Sequence, residues 1–381
     1  MTEKDNEIKE SEGAAINRKK MGKAWRILLI LFCVVAAVAL AAFGIYHAIL
    51  DHYLDQINIV TKEPDMIFAT VPLEPEEMPT QEPVTTPVTE EIPDLNGQLN
   101  WENLPLICNT KDVKNFLILA TDNQLPGWAG RSDVMILVSI NQKTGKIILC
   151  SFLRDLYVRY PTEPQNPISG GMDKLNHAFA YGGATLTMAV FKETFNVEVD
   201  QYVHVDFNSF IQVVDAVGGL DVELTADEVT YIYGHMREPW LPSDYPLNSL
   251  EMRAGTHHLN GAQALAHARN RYIGSDWART QRQRTIIQLL LKKVGTLSLS
   301  QLNNLLETTL PLITTNIPKN ELKSLVSSLP GYLQYSVEST TIPQGGTYQS
   351  VNYNMIPDLS YNCHYLYEVV YGKRADGDPR Q

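Results

Sequence analysis

Five arginines, Arg269, Arg271, Arg279, Arg282 and Arg284, fall within sixteen positions of a 381-residue chain whose formal charge is -12. Arg269 and Arg271 stand two apart in Leu265–Tyr272, a segment read as extended, where alternate side chains share a face. The helix expected after Asp276 repeats Arg279, Gln283, Ile287 and Leu291 at four-residue steps, with Arg282, Ile286, Leu290 and Val294 in a parallel row. Charged and apolar residues therefore share one stripe. Arginines in a first helical turn oppose the helix dipole, and a guanidinium in line with a buried stripe is costly without a partner. An anion bound at the helix N-terminus relieves both costs, and phosphate or pyrophosphate fits best. The plainer alternative is a set of structural ion pairs with Asp and Glu.

A second charged group lies far upstream. Asn115–Thr121 reads as a buried strand ending at Asp122, followed by a loop and by Gly130, Arg131, Ser132 and Asp133. Val134–Ile140 and Lys146–Leu153 are β-prone runs separated by the turn chemistry of Asn141–Gly145. A hairpin that sets Asn141 opposite Lys146 also sets Asp133 opposite Arg154, with Asp155 alongside. Arg131, Asp133, Arg154 and Asp155 then gather at its open end, and Asp122 joins them if the first strand is a neighbour. A slip of one residue would reverse every face. Two carboxylates near arginines suit Mg²⁺ bound together with phosphates; an ordinary Asp–Arg salt-bridge cluster is the alternative.

The elements that must position these groups form an α/β pattern. Lys174–His177 precede a helix expected over Ala184–Phe195; Tyr202–Val205 reads as a strand, Phe207–Val217 as an amphipathic helix and Leu220–Leu224 as another strand. Residues 225–256 read as a weakly patterned insertion, and helical patterns return at 278–294, 299–310, 319–329 and Tyr361–Tyr371. Strands alternating with helices around one hairpin indicate a mixed α/β or α-β-α sandwich.

The N-terminus has a different logic. Ile27–Tyr46 is twenty residues without a charge, enough at about 1.5 Å each to cross a hydrocarbon core of roughly 30 Å. It is longer than a usual signal-peptide core and lacks a convincing cleavage site. Arg18, Lys19, Lys20, Lys23 and Arg26 flank it on one side, which keeps that side cytoplasmic. The expected organisation is a cytoplasmic tail over 1–26, a transmembrane helix over 27–47, an extracellular stalk over 48–98 and an extracellular domain over 99–381. The stalk assignment rests on seven prolines in Thr61–Pro93. The acidic balance argues against nucleic-acid binding. Cys33, Cys108, Cys150 and Cys363 show no zinc spacing, and a single disulfide among the last three is left open with no pairing assigned. GxSxG, HExxH and P-loop motifs are absent.

Seven blocks, NFLILATDNQ, RSDVMILVSI, LCSFLRDLYV, KLNHAFAYGG, YVHVDFNSFIQVVDAVGGLDVEL, HLNGAQALAHARNRY and SDWARTQRQ, resemble in order the motifs of the LytR-CpsA-Psr family, over residues 113–295. The resemblance implies an α-β-α sandwich around a central mixed sheet, with an apolar cavity for a polyprenyl chain. It implies a cell-surface enzyme that moves an anionic glycopolymer, of teichoic acid or capsule type, from undecaprenyl pyrophosphate to peptidoglycan. Asp122 and Asp133 fall where the family has its Mg²⁺ ligands, with Mn²⁺ as a substitute. Arg131, Arg154, Arg269, Arg271 and Arg279 fall on the pyrophosphate-holding arginines, and Lys174 and Gln283 on further head-group residues. Asp155 follows Arg154 as in the family's Arg-Asp pair, there to orient it or to assist proton transfer; Arg282 also matches. The first block departs from the family's Gly-x-Asp-x-Arg, since Gln124 stands where an arginine is common. A lipid-pyrophosphate phosphatase and a non-catalytic polyprenyl-phosphate or glycan sensor are the rival functions.

Overall fold

A computed structural model describes residues 48–61, 103–122, 130–162, 168–237, 241, 244–274, 276–332, 334–378 and 380. The expected transmembrane helix, the cytoplasmic tail, most of the stalk and the loop that holds Gln124 lie outside these residues. Two compact units divide at Asp55/Gln56. In the first, residues 48–54 form a helix, α1. Everything below belongs to the second.

Its strands are β1 (Asn58–Ile59), β2 (Val113–Thr121), β3 (Ser132–Asn141), β4 (Lys146–Phe152), β5 (Tyr157–Arg159), β6 (Met172–Lys174), β7 (Tyr202–Asp206), β8 (Leu220–Leu224), β9 (Gly255–Leu259), β10 (Thr314–Thr315), β11 (Ser336–Ile342), β12 (Tyr348–Val351) and β13 (Asn354–Pro357). Its helices are α2 (His177–Phe195), α3 (Phe207–Ala216), α4 (Ala226–His235), α5 (Gly261–Arg269), α6 (Asp276–Val294), α7 (Leu299–Thr309), α8 (Lys319–Tyr332) and α9 (Leu359–Tyr371).

Among the described residues the central sheet has seven strands in the order β1-β10-β7-β2-β3-β4-β11. It is mixed: β2 runs antiparallel to β3 and parallel to β7, and β4 runs antiparallel to β3 and parallel to β11. The period of two along β2 and β3 divides the apolar residues between two faces. Leu117, Leu119, Met135 and Leu137 pack in the core with residues of α2 and α9, among them Phe191, Cys363 and Leu366. Ile118, Ala120 and Val134 look the other way, toward residues of α3, α5 and α6. Helical layers thus cover both faces of a mixed sheet. A second apolar cluster, including Val214, Ile232, Ala264, Ile286 and Leu305, ties α3–α7 to the β8–β9 ribbon.

The hairpin register agrees with the sequence reading, with Asn141 opposite Lys146 and Ile136 opposite Ser151. Three elements correct it. Residues 265–269 are not extended but lie in α5, capped by Asn260, whose side chain and that of Gln263 bond each other's backbone N–H. Every residue from Gly261 to Ala268 is buried, so the helical period of burial that would have marked the helix is missing. The insertion 225–256 contains α4, opened by a Thr225–Glu228 capping box. The assigned stalk gives up its first part, since β1 pairs with β10 at the sheet edge. Cys108, Cys150 and Cys363 are free thiols.

One glycine sets how tightly the site-bearing helices pack. A Cβ at Gly261 would stand 2.3 Å from the Ile211 carbonyl oxygen. The N-terminus of α5 therefore meets the backbone of α3 at a distance only glycine permits.

Candidate functional site

The site is assembled where β2 ends and β3 begins. Between Ala120 and Thr121 the β2–β3 register shifts: Ala120 faces Val134, but Thr121 faces Ser132, leaving Asp133 without a cross-strand partner. Asp133 has the parity of Met135 and Leu137, which point into the α2/α9 core. The bulge re-aims it. Asp133 lines a cavity on the opposite face with Ile118, Ala120 and Val134.

Asp133 Oδ1 accepts from Arg154 Nη1 at 2.8 Å, and Oδ2 lies 3.9 Å from Arg271 Nη2. Burial acts to raise its pKa, but the charges of Arg154, Arg279 and Arg271 prevail and hold it well below the usual carboxylate range. Arg154, itself buried, has its Nε 3.4 Å from Asp155 Oδ2, and Asp155 Oδ1 is 3.0 Å from Lys174 Nζ. Burial likewise works against ionised Asp155, yet Arg154 and Lys174 keep its pKa lowered. The result is a buried chain of alternating charge, Asp133–Arg154–Asp155–Lys174.

Asp122 behaves oppositely. Its Oδ1 accepts from the Arg131 backbone N–H at 2.7 Å, but burial, with the negative charge of Asp133 nearby, raises its pKa. A like-charge pair of carboxylates at a cavity is relieved by a cation. Among the described residues no cluster of three or more His, Cys, Asp or Glu could hold a metal. Asp122 and Asp133 are two oxygen donors, and a hard dication held by one or two carboxylates takes its remaining ligands from phosphate oxygens and water.

The downstream arginines come from α5, the turn after it, and α6. Arg269 ends α5 with its guanidinium carbon 4.8 Å from the centre of the Phe207 ring, a cation–π contact that fixes it against α3. Arg271 follows in the turn. Arg279, in the first turn of α6, is only 2 % exposed and acts on Asp133. Gln283, one turn on, is buried beside it. The fold thus brings Asp122, Arg131, Asp133, Arg154, Asp155, Lys174, Arg269, Arg271, Arg279 and Gln283 into one region.

Arg282 does not join them. Its Nε meets Glu228 Oε1 at 2.7 Å, Nη1 donates to the Asn270 carbonyl at 3.1 Å and Nη2 to the Ile273 carbonyl at 2.6 Å. It braces α4 against the turn that carries Arg271. Arg284 is structural too, donating to Thr341 Oγ1 at 2.5 Å and the Thr340 carbonyl at 3.3 Å of β11.

Two cavities meet at this centre. A polar one of about 380 Å³ is lined by Asp133, Arg237, Arg269 and Arg271, with Tyr231, His235 and Tyr272. An apolar one of about 190 Å³ lies between the sheet and α3, α5 and α6, lined by Ile118, Val134, Val205, Phe207, Phe210, Ile286, Ile287 and Leu290. Asp133 and Arg269 line both. Sequence reasoning missed Arg237, the three aromatic rings and the β2, β3 and α3 residues of the apolar wall. The Thr225-x-x-Glu228 capping pattern was the signal for α4, which carries two of those rings.

The model of the LytR_cpsA_psr family matches residues 78–363. The "Biofilm regulatory protein A" of Streptococcus mutans is 34% identical over 258 residues, covering 63% of this chain. That match spans only 61% of the streptococcal protein's own length. The "Polyisoprenyl-teichoic acid--peptidoglycan teichoic acid transferase TagU" of Oceanobacillus iheyensis is 30% identical over 261 residues, covering 66% of this chain and 74% of that one. The structure of "TagT bound to LI-WTA" superposes with a TM-score of 0.52 at 25% identity, over 69% of this chain and 92% of TagT. With its mixed central sheet, its arginine-lined acidic centre and a family match over most of its length, the chain belongs to the LytR_cpsA_psr family.

Proposed function

We propose that this chain is a membrane-anchored transferase that moves an anionic glycopolymer from undecaprenyl pyrophosphate to peptidoglycan outside the cell. Residues 27–47 serve as its anchor. The observation that carries the reading is the junction of the two cavities: Asp133 and Arg269 line both, an arrangement that supports a ligand with an apolar tail and an anionic head. The names of the relatives, a teichoic acid transferase and TagT bound to LI-WTA, support the same substrate class.

In the reaction, a hydroxyl oxygen of a peptidoglycan sugar bonds to the phosphorus that carries the glycan. The bond from that phosphorus to the bridging oxygen breaks, undecaprenyl phosphate leaves with that oxygen, and the hydroxyl proton passes to solvent. The protein's part in such a transfer is positioning and charge neutralisation. Arg154 is held by Asp133 on one side and Asp155 on the other, so its guanidinium is preorganised for an anion bound beside it. Arg269, Arg271 and Arg279 supply further positive charge from the opposite wall. Asp122 and Asp133 would hold a Mg²⁺ ion, which would supply additional neutralisation of the pyrophosphate.

The test is incubation of the protein with defined undecaprenyl-pyrophosphate glycans and peptidoglycan oligomers, with and without Mg²⁺. Mg²⁺-dependent peptidoglycan-linked product supports the transferase. Free phosphate-terminated polymer identifies a hydrolase instead, and metal-independent binding without turnover identifies a sensor.

A further inference from the structure

Three aromatic rings line the polar cavity away from the apolar one. Tyr231 and His235, one turn apart on α4, stack with ring centres 3.9 Å apart and planes 12° apart. Tyr272, in the turn between α5 and α6, tilts against both at 5.7 and 5.8 Å. A tyrosine used only for packing hides its ring; Tyr272 is 63% exposed. Its position is nevertheless built. Its N–H donates to Asn270 Oδ1 at 3.0 Å, Asn270 is fully buried, and Arg282 holds the carbonyls of Asn270 and Ile273 while pairing with Glu228 of α4. The buried arginine thus fixes the Tyr272 turn relative to the helix that bears the other two rings.

We propose that Tyr231, His235 and Tyr272 form a platform for the pyranose ring attached directly to the donor's pyrophosphate, and so select for the first sugar of the glycopolymer. The proposal rests on the reading of the site given above and extends it to the saccharide. A pyranose offers a face of C–H groups without charge, which packs on the electron-rich face of an aromatic ring. Its hydroxyls at the ring edge are within the reach of polar side chains, and Arg237 and Arg271 line the same cavity. The order along the protein is apolar cavity, then Asp133 and Arg269, then the aromatic cavity. The order along the donor is polyprenyl tail, pyrophosphate, sugar. The acceptor's sugar has the same chemistry but no lipid to place it in this order.

The test compares two donors binding to the full chain in detergent: undecaprenyl pyrophosphate, and the same lipid bearing one N-acetylglucosamine. Tyr272→Ala and Tyr231→Ala are each expected to weaken binding of the sugar-bearing lipid about tenfold and to leave binding of the sugar-free lipid unchanged. Tyr272→Phe keeps the ring face and is expected to bind as wild type. Equal losses for both lipids, or no loss for either, overturn the platform. A raised KM for peptidoglycan oligomers with donor binding unchanged would assign the rings to the acceptor and overturn it as well. If wild type binds neither lipid, the reading of the site fails first and takes this proposal with it.

Discussion

At Asp133, burial and three guanidinium groups act in opposite directions on one carboxylate, and the guanidinium groups win. The charge therefore persists where positive groups converge, and its removal is expected to change the orientation of Arg154 and the local field. Asp133→Asn keeps the shape and removes the charge. It is expected to slow transfer by roughly 2.7–4 kcal/mol of barrier, the range for loss of one preorganised electrostatic contact. Single-turnover rates on a defined lipid-linked donor measure this, with a thermal melt to show that the variant is folded. A wild-type rate would remove Asp133 from the site. Asp133 and Arg154 are legible as neighbours because turn chemistry sets the hairpin register, whereas Lys174 and Gln283 enter only through the family resemblance. The bulge was not legible: Ser132, Asp133 and Val134 contain nothing that says which of them loses its partner. Helical spacing puts Arg282 in register with Ile286 and Leu290, while its partner Glu228 lies on α4, whose sequence pattern is weak.

Between elements, the decisive contacts are few and buried. Arg282 and Glu228 are each about one-tenth exposed at the side chain, and Glu228 also closes the capping box of α4. Arg282→Ala leaves that carboxylate buried without its ion-pair partner and is expected to destabilise the fold by about 3–5 kcal/mol, read as a lower urea midpoint. Pairing it with Glu228→Gln should restore part of the loss, because the uncompensated charge is gone. Within β7, His204 bonds Thr121 Oγ1 at 3.0 Å and stacks on Phe179. Burial, opposed by Asp206, lowers its pKa from 6.5 to about 4. A folded value below the unfolded one means that the unfolded chain binds the extra proton first. Stability is therefore full above pH 6.5 and falls on acidification until about pH 4, by up to roughly 3 kcal/mol. His204→Gln should flatten that part of the profile; an unchanged slope would show that His204 is not its source. The elements with a strong apolar pattern, such as β2, β3 and α3, were readable from the sequence. β11 escaped because its first four residues are exposed and its parallel partner β4 lies far upstream, so neither alternation nor a local turn announces it.

For the whole molecule, the question is whether the two cavities act as one binding channel. Asp133 and Arg269 border both, so affinity should have two separable parts: an ionic part set by the pyrophosphate and an apolar part that grows with the length of the lipid. Each methylene buried in the cavity contributes about 0.8 kcal/mol. A series from inorganic pyrophosphate through farnesyl to undecaprenyl pyrophosphate should therefore bind with increasing affinity until the apolar space is filled, then level off. Ile287 lines the apolar cavity and not the polar one, so Ile287→Trp takes up tail space without touching the charged centre. The variant is expected to bind inorganic pyrophosphate as wild type does, while its gain with lipid length is reduced or stops earlier. Raising salt should weaken the ionic part in both proteins and leave the dependence on length in place. If Ile287→Trp shows the same dependence on length as wild type, the lipid lies elsewhere, and the apolar cavity is only a packing gap between the sheet and α3, α5 and α6.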